Sequence, residues 1–363
     1  MSANERQVLR ALWADPGLSR SELTSRLDLT QQSLHRIVDQ LVLRGMIRLG
    51  PPHPAAGRGQ PSPTLTLLPC FAHSWGVSLN TDDLGIALMD FSGKPLVQEQ
   101  HRLQGVPRKV VLDRLTSRIG ELTAEHDIDP EACLGIGFGI AGYWVGGTRF
   151  NSPLPLKDWA LIELGPLLSQ HFNRPVWVEN GANTSAVGEA MLGAGKIHPT
   201  FAYMSFNYGL GGGLIQNGEL WRGGNNNAGE LSGIFGPEEL DNRPILQSLV
   251  ALLRKNGVGP SHVGDLARDF DPDWPGVDQW VDQVMPAFNR LVAVLWSVFD
   301  PQAIVLGGQI PPALASRLIK RATIHHGSRY GVPRPAPRLL VSELGVNASA
   351  LGAAALPLRV CAL

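Results

Sequence analysis

The chain has 363 residues, more than one small module uses, so two or three folding units are expected. Its formal net charge of −1 excludes a polycation, and any contact with nucleic acid must come from a local basic surface. The three cysteines, Cys70, Cys133 and Cys361, are widely separated and form no metal-ligand spacing; no disulfide framework is expected, and this usage fits a reducing cytosol. The start is polar (Asn4, Glu5, Arg6) with no apolar signal core, and no run is long enough to span a bilayer, so a cytoplasmic protein is expected.

The first 70 residues hold eight arginines against five acidic residues, a basic head on an acidic body. Val8, Leu9 and Leu12 predict an amphipathic helix over 5–13, broken by Pro16-Gly17. Ser19 and Glu22 match a capping box, opening a second helix that buries Leu23 and Leu27. Asp28-Leu29 forms the turn. Thr30 caps a third helix, in which Leu34, Ile37, Val38 and Leu41 fall at helical spacing and Gly45 marks the stop. Three short helices with a tight turn before the last make a helix-turn-helix. Gln31, Gln32, Ser33, His35 and Arg36 crowd the first turns of the third helix, the part of a recognition helix that meets base edges. Met46–Leu49 and Thr64–Leu67 read as paired strands of a wing, whose tip, Arg58-Gly59-Gln60, could place a cation in the minor groove of duplex DNA. A solvated helix beside a linker and a small protein-binding bundle are the competing readings. The agreement of spacing, caps, exposed polar face and basic wing favours DNA.

From about residue 71 the texture changes. Trp75–Leu79 and Gly85–Met89 read as strands, with a turn following at Ser92-Gly93, 108–126 as a helix, and Leu134–Ile140 as a buried strand entering a glycine loop. Pro175–Glu179 is a strand, a helix runs through Ala186, Glu189 and Ala190, and the alternation continues to Ala303–Leu306. This is an α/β body with no tandem repeat of solenoid period.

The segments Gly137–Gly142, Asn151–Pro155 with Trp159, Glu179-Asn180-Gly181-Ala182-Asn183, Gly209–Gly213, Ala228-Gly229-Glu230 and Ile304–Gly308 occur in an order that resembles the ROK family of repressors, open reading frames and kinases. The resemblance covers nearly the whole chain. It implies a winged helix-turn-helix over 1–70 and an actin-like, ribonuclease-H-like two-lobed sugar-kinase fold. Lobe 1 would span 71–185, with a helix at about 345–363 returning to it, and lobe 2 would span 186–344. It also implies a dimer or tetramer. Asn180 and Glu230 would bond sugar hydroxyls, Asn151 would order the loop over the sugar, and Glu238 or Glu239 would replace a later acidic contact.

The departures from the family pattern bear on chemistry. In the kinases an Asp in the signature takes the proton of the attacking hydroxyl; Gly181 stands there and has no side chain for general-base work. Ser78-Leu79-Asn80-Thr81-Asp82 replaces the Asp-x-Gly-Gly-Thr phosphate motif, and Asn207-Tyr208 replaces a Gly-Thr pair, so Gly209–Gly213 reads as a tight turn. Leu231-Ser232-Gly233 has none of the cysteines or histidine of the family's zinc motif, and the adjacent pair His325-His326 reads as surface. Asn225-Asn226-Asn227 adds amides beside Glu230, while Trp144, Trp159 and Trp221 offer ring faces for which core packing is the main expectation. The expectation is a non-catalytic, carbohydrate-controlled DNA-binding regulator without cofactor or metal. The rivals are a sugar kinase with a DNA-binding head and a regulator whose body only dimerises.

Overall fold

A computed structural model describes residues 1–52, 62–103, 105–324 and 330–362. Arg58, Gly59 and Gln60 at the expected wing tip, and His325-His326, lie outside the described residues.

The head is built from α1 (Ala3–Ala14), α2 (Arg20–Arg26), α3 (Gln31–Leu43) and the antiparallel strands β1 (Ile47–Pro52) and β2 (Pro63–Leu67). Local chemistry fixes the helix starts. The Ser19 hydroxyl accepts from the Glu22 N–H at 3.3 Å while the Ser19 N–H donates to the Glu22 carboxylate at 2.7 Å. The Thr30 hydroxyl accepts from the Ser33 N–H at 3.2 Å. The first helix starts two residues before the apolar spacing implies, because Ser2 and Glu5 form a second capping box.

The first body sheet has the order β5-β4-β3-β6-β9, from β3 (His73–Leu79), β4 (Asp83–Asp90), β5 (Pro95–Arg102), β6 (Cys133–Ile140) and β9 (Val176–Asn180). Strands β3, β4 and β5 form an antiparallel meander; β6 and β9 run parallel to β3. Between them lie α4 (Arg108–Glu125), the hairpin β7 (Tyr143–Gly146) and β8 (Arg149–Asn151), and α5 (Leu164–Phe172). After α6 (Gly181–Leu192) the pattern repeats. The meander β10 (Phe201–Phe206), β11 (Leu210–Gln216), β12 (Glu219–Leu220) is followed by α7 (Leu246–Lys255), α8 (Val263–Asp269), α9 (Val277–Val298), β13 (Ala303–Gly308), α10 (Pro312–Arg321) and β14 (Arg338–Val341). The second sheet has the order β12-β11-β10-β13-β14, with β13 parallel to β10 and β14 to β13. Along β10, Phe201 and Tyr203 face a core shared with Ala186 of α6, while Ala202, Met204 and Phe206 face the core of α7, α9 and α10.

The last helix, α11 (Ala348–Cys361), returns to the first sheet and packs on β3, β6 and α6. Its small residues let backbones touch. A Cβ built on Gly352 would lie 1.7 Å from the Thr184 carbonyl oxygen, and one on Gly137 of β6 would lie 1.8 Å from that of Ala353. The head rests on the same helix. Val8, Leu9 and Leu12 of α1 share one buried core with Met89, Phe91, Ala354 and Leu358, and an Arg6 guanidinium N–H donates to the Val360 carbonyl at 2.9 Å.

The lobes are joined by polar contacts at the start of β4. Asp83 accepts from the Gln309 side-chain amide, Asp82 accepts from the Gly264 N–H at 2.8 Å, and Arg102 pairs with Asp265. Burial, then the Asp82 carboxylate, push the Asp83 pKa up from 3.8 to about 6, against the Gln309 bond and Arg268, which lower it. The folded chain holds this proton more tightly than the unfolded one. The stability that the protonated form contributes is therefore lost as pH rises from 3.8 through about 6, and the ionised group is a cost at neutral pH. Gln309 Oε1 is buried without a partner among the described residues, and the amide introduced by Asp83→Asn would offer it an N–H. Asp83→Asn is expected to raise the melting temperature at pH 7.5 by about 2 °C, with the gain vanishing at pH 4. A lower melting temperature at pH 7.5 in scanning calorimetry would contradict this.

Candidate functional site

On the head, Leu34, Ile37 and Val38 turn one face of α3 into the core, which leaves Gln31, Gln32, His35 and Arg36 exposed on the other. The pairs 31/35 and 32/36 lie one helical turn apart and form a single polar stripe. Ser33 is half-buried, and the Thr30 hydroxyl donates to its hydroxyl at 2.9 Å, which ties it into the cap. Arg20, Arg26 and Arg44 are paired with Asp39, Asp15 and Glu5, whereas Arg36 has no ion pair among the described residues. Arg48 on β1, which sequence reasoning passed over, is exposed, and among the described residues its side chain bonds only the Thr66 hydroxyl, at 3.1 Å.

In the body, a cavity of about 200 Å³ lies at the carboxyl ends of the parallel strands β3, β6 and β9, where open α/β sheets place ligands. Its wall includes Asn80, Gly142, Tyr143, Asn180, Tyr208 and Glu230. Asn180 ends β9 and caps α6. Its side-chain Oδ1 accepts from the Ala182 and Asn183 N–H groups at 2.7 and 3.1 Å, and its side-chain Nδ2 donates to the Gly142 carbonyl at 2.8 Å and to Glu230 at 3.5 Å. The Asn180 amide is thus spent on holding the turn after β6 and on Glu230. The Glu230 carboxylate has that one long hydrogen bond among the described residues, and burial pushes its pKa up. The adjacent Glu179 is fixed by Arg222 at 2.9 and 3.0 Å and by the Asn183 amide at 3.1 Å.

The remaining expected residues are placed differently. Asn151 is not in the cavity wall; its amide donates to the hydroxyl of Tyr143, which is. Tyr143 was legible only as an aromatic following a glycine turn. Glu239 pairs with Arg290 of α9 and accepts from the Gly236 N–H at 3.0 Å, and neither it nor Glu238 reaches the cavity. Asn227 brackets the Trp144 backbone, accepting from its N–H at 2.9 Å and donating to its carbonyl at 3.0 Å. Trp159 is buried and stacked on Phe138, Trp221 is stacked on Phe299, and none of the three tryptophans lines the cavity. The segment read as a glycine turn at 209–213 is strand from Leu210 onward, because β10 supplies a full ladder with Tyr203 opposite Gly213; the turn is Asn207–Gly209. In the same way Gly137–Ile140 belongs to β6, and only Ala141-Gly142 turns.

Residues 74–235 match the model of the ROK family, and residues 1–59 match that of the MarR family. The xylose repressor of Bacillus spizizenii is 25% identical over 377 residues, covering 96% of this chain and 93% of the repressor. A solved ROK family transcriptional regulator, a homologue of the Escherichia coli MLC protein, superposes with a TM-score of 0.66 at 19% identity, over 98% of this chain and 96% of its own. A ROK family glucokinase from Streptomyces griseus, in complex with glucose and AMPPNP, superposes with a TM-score of 0.62 at 23% identity, over 78% of this chain and 99% of its own. The fold is that of these proteins.

Proposed function

We propose that this chain, which joins a ROK-family domain to a MarR-like winged head, is a sequence-specific transcription regulator controlled by a small carbohydrate that it does not phosphorylate. The observation that carries the reading is Glu230: a half-buried carboxylate with one long internal hydrogen bond, facing a cavity below the roughly 300 Å³ at which pockets for drug-sized ligands begin. Such a group accepts hydrogen bonds from sugar hydroxyls. Tyr143 supplies an apolar ring beside it, as a sugar face requires. On the head, Gln31, Gln32, His35 and Arg36 read the major groove, with Ser33 near the cap and Arg58, Gly59 and Gln60 acting from the wing.

The units are the head (1–70), a first lobe (71–185) that takes back the C-terminal helix, and a second lobe (186–344). The body forms a homodimer or tetramer that spaces two heads over paired half-sites of a duplex operator. The sugar acts by binding two arrangements of the lobes with different affinity. The route to DNA runs from Asn180 along α6, across its crossing with α11, and into α1 through Arg6 and Val360. The similarity over nearly the whole chain to a protein named as a xylose repressor supports this reading over a kinase.

Gly181 stands where the family's kinases carry their base. A Cβ there meets nothing closer than the Ile140 carbonyl at 3.5 Å, and a carboxylate at the first position of α6 is favoured by the helix dipole. Gly181→Asp is therefore expected to fold with an unchanged or slightly higher melting temperature and still show no ATP-dependent sugar phosphorylation, because Asn80-Thr81 and Asn207-Tyr208 give phosphate no glycine cradle. Turnover by the wild-type chain in a coupled ATPase assay would overturn the non-catalytic reading. A thermal-shift screen with monosaccharides tests the ligand. A sugar at 100 times its Kd adds about 2.7 kcal/mol of stability, a shift of several degrees. No shift with any carbohydrate would reduce the body to a dimerisation platform.

A further inference from the structure

The sugar cavity has a larger neighbour. A second hollow of about 460 Å³ opens between the lobes and shares Thr81 and Tyr208 with the first. Leu103 and Pro155 of the first lobe and Val250 of the second give it apolar faces, and Gln247, Arg254 and Ser261 give it a polar rim. The partition is the Tyr208 ring, whose hydroxyl accepts from the Gln247 amide at 2.6 Å. The Arg254 carbonyl accepts from the Gly257 N–H at 3.1 Å, but its guanidinium has no hydrogen bond or ion pair among the described residues, so those donors are uncommitted. Apolar faces with amide and guanidinium groups at the edge match a sugar ring, which presents C–H faces and a hydroxyl rim. A polyanion fits less well. Asp82 lines the same hollow with Asp83 beside it in sequence, and carboxylates there repel phosphates.

Resting on the carbohydrate reading above, we infer that the two hollows are subsites of one site, and that the effector is a neutral disaccharide with one ring beside Glu230 and the other between Tyr208 and Arg254. A ligand of that length touches both lobes, since the outer ring meets Leu103 on one side and Gln247 on the other. It therefore has the differential contact with two lobe arrangements that regulation needs.

Isothermal titration of the full chain with glucose, xylose and N-acetylglucosamine, and with maltose, cellobiose, xylobiose, chitobiose and sucrose, tests this. One disaccharide is expected to bind at least tenfold tighter than its constituent monosaccharides. Arg254→Ala and Gln247→Ala, both at exposed positions, should each weaken that disaccharide about 5- to 20-fold, and Arg254→Ala should leave monosaccharide affinity within twofold. A monosaccharide that binds as tightly as every disaccharide overturns the two-subsite inference and leaves the carbohydrate reading standing. So does a disaccharide affinity unmoved by both variants, or displacement of the disaccharide by ATP alone. Absence of binding by every sugar overturns both.

Discussion

Glu230→Ala is expected to weaken carbohydrate binding about 10- to 100-fold while leaving the fold and DNA binding of the sugar-free protein intact. The estimate follows from losing a hydrogen bond to a charged acceptor, about 1.5–3 kcal/mol. Glu230→Gln separates binding from stability. Burial raises the pKa of this carboxyl, so the folded chain favours its protonated form. The native state therefore loses stability as pH rises through that raised pKa, and the glutamine variant gains its advantage only above it. At pH 8 the variant should melt higher than wild type and bind sugar more weakly; at acid pH the two should converge in both respects, because a protonated carboxyl accepts less well. Calorimetric melting and sugar titration at pH 4 and pH 8 check this. A glutamine variant that melts lower at pH 8, or binds as tightly as wild type, contradicts it.

Gly352→Ala is expected to be the most damaging single methyl in the chain, costing about 4 kcal/mol or preventing folding. The added Cβ would lie 1.7 Å from the Thr184 carbonyl and 2.6 Å from the Gly188 N–H, so α6 and α11 would have to part. Neither obstacle is the end of a flexible side chain. Separation would also break the Thr184–Ser349 hydroxyl contact of 2.8 Å and unseat the helix that carries the head. Gly181→Ala is the control, since its Cβ meets ordinary contacts and alanine favours the helix. Urea unfolding should leave the control near wild type and shift the Gly352 variant far below it. Equal midpoints would mean that the helix crossing is not as close as described.

What sequence made legible is what short-range chemistry decides. The Ser19–Glu22 box and the Thr30 cap span three residues each, and the apolar spacing of Leu34, Ile37, Val38 and Leu41 specifies a helix without reference to the rest of the chain. Strands β3, β4 and β6 are visible because a strand buried on both faces reads as an apolar run. The remainder depends on contacts across long separations. Nothing near Glu239 in sequence announces Arg290, 51 residues away, and nothing near Asn227 announces the Trp144 backbone, 83 residues away. Asn180 and Glu230 stand 50 residues apart and meet at 3.5 Å, but only the structure shows that the Asn180 amide is already divided among the α6 cap, Gly142 and Glu230. The glycines at 211–213 look like a turn by composition. They are strand because β10 pairs with them, which no local pattern encodes.

Occupancy of the body cavity is expected to change the grip of the head on DNA. Fluorescence anisotropy of the full-length protein on a duplex selected from a randomised pool, with and without the sugar that raises its melting temperature, tests this directly. The expected result is a salt-sensitive Kd that changes at least fivefold with sugar, and an Arg36→Ala variant that binds more weakly by about 1–3 kcal/mol. A Kd unmoved by that sugar, or no salt-sensitive association with any duplex, would contradict it.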